Sequence, residues 1–109
     1  MTQTGSFITF HDLTPAAHFL WASPSAYDVL GYEPEDLLGR SAYEIVYPDD
    51  KGETGTAHKE NLINDLVATQ LVLRYKSKKG EAILCLAIFG VCYDFIVACI
   101  TQLDQGAEE

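Results

Sequence analysis

The chain has 109 residues, enough for one domain that buries a core without metal or disulfide staples. At 48% hydrophobic and 21% charged it has the composition of an ordinary globular protein. A net charge of −9, with only seven Lys and Arg, argues against direct contact with nucleic acid, which needs cations to meet its phosphates. The three cysteines, Cys85, Cys92 and Cys99, form an odd set with no CxxC pair, and no signal peptide is expected. Reduced, mostly buried thiols in an intracellular protein, cytoplasmic or nuclear, are expected.

Taken in order, residues 1–6 read as a tail and residues 7–13 as a strand, closed by the turn chemistry of Asp12 and Thr14-Pro15. A second strand, 18–22, follows closely and implies a hairpin. Ser23-Pro24 reads as a helix start, Ser as N-cap and Pro in the first turn, and Gly31 ends that helix. Glu33-Pro34 opens another short helix with carboxylates in its first turn, where the macrodipole favours them, and Gly39 closes it. Residues 43–47 are a short apolar piece stopped by Pro48-Asp49-Asp50. Residues 54–66 read as the one longer helix, with Leu62, Ile63, Leu66 and Val67 as its apolar stripe. Strands at 67–76, 81–92 and 95–103 follow, and 104–109 is a second tail. Strands, then helical pieces, then a three-stranded meander predict an α+β domain over 7–103 with an antiparallel sheet.

The stretch 84–103, LCLAIFGVCYDFIVACITQL, decides between a membrane span and a buried hairpin. Its length approaches the roughly 20 residues of a span, but Asp94 falls near the centre, where a charge costs about 2.5–3.5 kcal/mol. β-Branched and aromatic residues dominate its flanks, so the hairpin is the better reading and no membrane is expected. Two-residue turns at Lys79-Gly80 and Tyr93-Asp94 would then put Tyr75 opposite Leu84, and Ile88 opposite Cys99. On that register Leu71, Leu73, Tyr75, Leu84, Leu86 and Ile88 share a core face with Gly90, Cys92, Phe95, Val97 and Cys99. The other face carries Val72, Cys85, Ala87, Phe89, Val91, Ile96, Ala98 and Ile100 inside a polar rim, the profile of an interface. A one-residue slip in either turn exchanges the faces.

The run FLWASPSAYDVLGYEPEDLLGRSAYEIVYPDD (19–50) resembles the core of PAS domains, with their SP cap, LGY helix end, PEDLLGR helix and PDD turn. RYKSKKGEAILCLAIF (74–89) corresponds to that family's strand–turn–strand, and Ala98-Cys99-Ile100-Thr101 to its last strand. The resemblance spans residues 7–103 and implies the PAS fold, a five-stranded antiparallel sheet with short helices and one longer helix on one face. The wording of the last hairpin, VCYDFIVACIT, is similar to fungal regulators related to the white-collar transcription factors.

PAS domains serve as sensors, dimerisers and docking modules, and the fold alone does not choose between these. The outer face points to an interaction module whose partner is a second copy, another PAS or regulatory protein, or a flanking helix. The alternative is a sensor with an internal cavity lined by Trp21, Tyr43 and Tyr75, where Gly90 leaves space. Haem-binding members use a histidine on the long helix, the position of His58, which would make haem or a small apolar ligand the cofactor. The default is no cofactor, because the bulky aliphatic side chains can fill the core. Light-sensing members carry a cysteine after a GRN motif; here Gly39-Arg40-Ser41-Ala42 has none, so a cysteine-adduct flavin is not expected. No carboxylate falls on the assigned core face and no nucleophile–base or metal motif is visible, so no enzyme is expected.

Overall fold

The strands β1 (Gly5–His11), β2 (Phe19–Ala22), β3 (Thr69–Lys76), β4 (Ala82–Cys92) and β5 (Phe95–Gln102) form one antiparallel sheet in the order β2-β1-β5-β4-β3. The computed structural model describes residues 5–64 and 68–103. Between β2 and β3 the chain forms α1 (Ala26–Leu30), α2 (Pro34–Leu37), 3-10 turns at Ala42–Ile45 and Pro48–Asp50, and α3 (Lys51–Asn64). This is the expected α+β sheet-and-helix architecture. β1 starts at Gly5, inside the stretch read as a tail, and α3 starts three residues before the expected helix. The Leu66–Val67 end of the proposed α3 stripe lies outside the described residues, as do the side chains of Leu62 and Ile63.

Local chemistry explains the connections. Gly31 ends α1 in the left-handed region at φ 84°, which a side chain would resist. Ser23 does not cap α1, contrary to the sequence expectation. Its Oγ instead accepts the Ile8 N–H at 2.9 Å, pinning the helix approach to β1, and Ser25 occupies the cap position. Pro34 opens α2, and the Asp36 carboxylate accepts the Glu33 N–H at 2.9 Å. A bulge at Leu20, where the pairing passes from Phe10–Trp21 to His11–Phe19, lets both Phe19 and Ala22 turn inward.

Asp12 organises the β1–β2 loop. One carboxylate oxygen accepts from Thr14 N–H (3.2 Å), Thr14 Oγ (2.6 Å) and His18 N–H (3.0 Å), and the other meets His18 Nδ1 at 2.8 Å. Partial burial pulls the Asp12 carboxyl upward, but the Thr14 and His18 hydrogen bonds outweigh it and hold the group down at about 2. Its stabilisation is therefore present above the ordinary value of 3.8 and is lost as pH falls from there toward 2. Asp12→Asn should cost on the order of 1–2 kcal/mol at neutral pH. Its melting temperature should converge on that of wild type near pH 2. A gap that stays constant across that pH range would contradict this account.

The decisive departure from the sequence reading is at the β3–β4 connection. Residues 77–81 form a loop in which Ser77 N–H donates to Glu81 O (2.8 Å), Glu81 N–H to Ser77 Oγ (3.0 Å) and Gly80 N–H to Ser77 O (2.8 Å). Lys76 pairs with Ala82 and Tyr75 with Ile83, rather than Tyr75 with Leu84. The β4–β5 turn is the expected two-residue one, with Ile88 opposite Cys99 and Gly90 opposite Val97. Because side chains alternate with period two, the single slip carries all of β4 and β5 to the opposite face. Leu73 and Tyr75 face the core as expected, but Leu84, Leu86, Ile88, Gly90 and Cys92 do not, nor do Phe95, Val97 and Cys99. Their alternates Cys85, Ala87, Ile96, Ala98 and Ile100 are buried with Phe7, Leu30, Leu37 and Ile45.

Candidate functional site

Between the inner face of the sheet and the helical layer lies a partly open cavity of about 60 Å³. Of the residues expected to line it, Tyr43 and Tyr75 do so, together with Phe19, Ile45, Thr54 and Phe89. Trp21 and Gly90 do not. Trp21 is 43% exposed on the opposite face of the sheet, stacked on Phe10 at 5.0 Å, and Gly90 lies on that same face opposite Val97. His58 belongs to α3, but its side chain lies outside the described residues.

The cavity lining is almost wholly apolar, and its few polar groups are distinct in character. His11 is buried, with Nε2 2.7 Å from Thr9 Oγ1 and Nδ1 3.1 Å from Ala17 O. A carbonyl only accepts, so Nδ1 carries a proton, while Nε2 and the Thr9 hydroxyl share the second bond. Both ring nitrogens are thereby engaged. Tyr75 is only 8% exposed, and its hydroxyl takes part in no hydrogen bond among the described residues. Burial, with Cys85 and Tyr43 nearby, drives its ionisation far above the usual range. It is a neutral phenol on the wall of a pocket large enough for water or a small molecule. Cys85 is fully buried, and desolvation pushes its thiol up to about 12, so it is inert. The exposed thiols are Cys92 and Cys99, the reverse of the sequence assignment.

The second feature is the outer face of the sheet. Of the interface residues read from the sequence, Val72 alone points outward there, at 51% exposure. Cys85, Ala87, Ile96, Ala98 and Ile100 are buried, while Phe89 packs on the core and lines the cavity. Val91, paired with Ile96, shares their inward side. The outward residues are instead Ile8 and Phe10 on β1, Trp21 on β2, Leu84, Leu86 and Ile88 on β4, and Phe95, Val97 and Cys99 on β5. Phe10 joins Trp21 to Phe95, with centroids 5.0 and 5.2 Å apart. Ile8, Trp21, Val72 and Ile88 are each more than 40% exposed. The chain has sixteen Asp and Glu, yet none occupies an outward position of the five strands; the charges there are Arg74 and Lys76 near one corner. A residue set this apolar and free of carboxylate, on so acidic a molecule, has the profile of an interface core. The sequence could have pointed to it through Ser77 and Glu81, whose mutual bonding sets the longer loop.

The free edge of β3 is held by the helical layer. The Asp50 carboxylate accepts from Arg74 N–H (2.7 Å), Nε (3.0 Å) and Nη2 (3.0 Å), and the Arg74 guanidinium lies 4.6 Å from the Tyr47 ring centroid. Tyr47 N–H donates to Arg74 O at 2.9 Å, and Val46 bridges to Tyr75. The Arg74 hydrogen bonds hold the Asp50 carboxyl below its usual range.

The PAS fold family model matches residues 19–94. Basic helix-loop-helix ARNT-like protein 2 of Gallus gallus is 34% identical over 65 residues, covering 60% of this chain and 10% of that protein. The chain thus spans about a tenth of that relative. Two solved structures of Cycle PAS-B from Drosophila melanogaster cover 89% of this chain and 99% of theirs. A variant with bound glycerol has 23% identity and a TM-score of 0.78, and the wild type with bound ethylene glycol 25% and 0.77. These relatives are animal proteins and lend no support to the fungal white-collar association.

Proposed function

The chain belongs to the PAS family, and from that premise we propose that it is a non-catalytic interaction module that docks a second copy of itself through the outer face of its sheet, within a signalling or transcription regulator. The observation that carries this reading is the apolar, carboxylate-free face running from Trp21 through Phe10, Phe95 and Val97 to Ile88 and Val72. A second copy fits because the centre of the face is uncharged, with Arg74 and Lys76 at one corner, and can meet itself across a twofold axis without burying opposed carboxylates. The likeness to a basic helix-loop-helix ARNT-like protein supports the regulatory setting.

Each copy carries −9, mostly away from this face, so long-range repulsion opposes association and salt should relieve it. Sedimentation velocity across the micromolar range should show a monomer–dimer equilibrium that tightens between low and physiological ionic strength. A monomer boundary throughout would sink the second-copy reading in favour of a different partner or a flanking helix.

The second reading, a small-ligand sensor, is favoured by one observation, the apolar pocket lined by Tyr43 and Tyr75 on the inner side of the sheet. Ligand sites for larger molecules run to roughly 300–1,000 Å³, so the cavity's size argues for a small neutral molecule over haem or flavin. Mass spectrometry of the denatured protein distinguishes a co-purified molecule from a cavity holding only water.

A further inference from the structure

We propose that Cys92 of one copy and Cys99 of a second form a symmetric pair of oxidant-dependent disulfides across the docking face. The inference rests on the second-copy reading and adds a redox lock to it. The sheet sorts the three thiols. Cys85 is buried, its Sγ donating to Ile83 O at 3.6 Å, whereas Cys92 and Cys99 are exposed at outward positions of β4 and β5. Cys92 stands opposite Phe95 and Cys99 opposite Ile88, with the Gly90–Val97 pair midway between them. Within one copy the two thiols cannot join. Four residues of strand separate their rows, about 14 Å, and a disulfide tolerates at most about 7 Å between Cα atoms.

The same separation suits a twofold dimer. An axis lying in the interface above Gly90 and Val97 carries each cysteine over the other one of the second copy. The line from Cys92 to Cys99 leans by one strand spacing along its length, so this exchange crosses the strands of the two sheets at roughly 40°. Aligned face-to-face sheets cross at roughly 30°. Their layers lie about 10 Å apart, a gap that the inter-sheet disulfide of immunoglobulin domains spans. Gly90 has no side chain to hold the layers apart at the axis. The chemistry needs an oxidant of the class of small disulfides, such as glutathione disulfide. The Cys99 thiolate attacks one of its sulfurs, forming a mixed disulfide, and the departing glutathione thiolate takes up the proton that Cys99 lost. Cys92 of the second copy then attacks the Cys99 sulfur, and the second glutathione leaves with the Cys92 proton. For each bridge two protein thiols are oxidised and one small disulfide is reduced. In reducing surroundings both bridges stay open and docking is reversible.

Incubation with glutathione disulfide, then non-reducing electrophoresis and peptide mass spectrometry, reads the bridges directly. Wild type should give a covalent dimer whose linked peptides join Cys92 to Cys99, and which withstands dilution that dissociates the reduced protein. Cys92→Ser and Cys99→Ser should each lose the covalent dimer, because every bridge needs one residue of each kind. An equimolar mixture of the two variants should regain a singly bridged dimer. Linked Cys99–Cys99 peptides in Cys92→Ser, or all possible pairs in equal yield, would overturn the arrangement. Sedimentation of the reduced protein separates the two failures. A dimer that never crosslinks removes the thiol lock alone, and a monomer that never crosslinks removes the docking reading with it.

Discussion

Ile96→Glu should unfold the domain rather than dissociate a dimer. Ile96 is 3% exposed, lines the cavity and lies on the inward side of β5 with Ala98 and Ile100. Among the described residues no Lys or Arg stands beside it on the inner face, and the facing His11 has its ring nitrogens on Thr9 and Ala17. It must either remain charged in apolar surroundings or take up a proton, and a fully buried carboxyl is raised by up to about 3–5 units. At about 1.4 kcal/mol per unit that penalty, added to the lost packing of Ile96, approaches the whole stability of a domain this size. Circular dichroism should show no cooperative thermal transition at neutral pH. A folded, soluble Ile96→Glu protein would mean that β5 faces the other way.

Ile88→Glu with Val97→Glu should behave oppositely. Ile88 is 41% exposed on β4, and Val97 is half-buried beside it on β5, both outward. In the monomer each carboxylate reaches water, so the melting temperature should change little. In a dimer both would be desolvated at the centre of the interface, facing their own symmetry mates. Central positions of this kind cost about 2 kcal/mol or more each, so the dissociation constant should rise roughly a thousandfold for the pair. Sedimentation equilibrium measures it. An unchanged constant would place the interface elsewhere on the molecule.

The contrast between these two variants rests on one loop. Most of the fold was legible along the chain: the strands, the stops at Gly31 and Gly39, the Pro34 helix start, and the two-residue Tyr93-Asp94 turn all follow from local chemistry. The cavity was half legible. Tyr43 and Tyr75 were placed correctly, whereas Trp21 was assigned inward because the bulge at Leu20 has no signature in the sequence.

The faces of β4 and β5 were not legible from the strands themselves, for a physical reason. Polarity normally fixes register, since a strand with one wet side loses burial when it slips. From Ala82 to Cys92 both alternations are apolar, so neither choice exposes a charge, and turn geometry alone had to decide. Lys79-Gly80 has the composition of a tight turn, but the Ser77–Glu81 bonds lengthen the loop and shift the pairing by one residue. The sequence by itself determined that this protein has a PAS sheet with two apolar faces, one more than a core needs. Only the tertiary structure decided which face is buried, because that choice depends on main-chain hydrogen bonds in a five-residue loop and not on the side chains of the strands it joins.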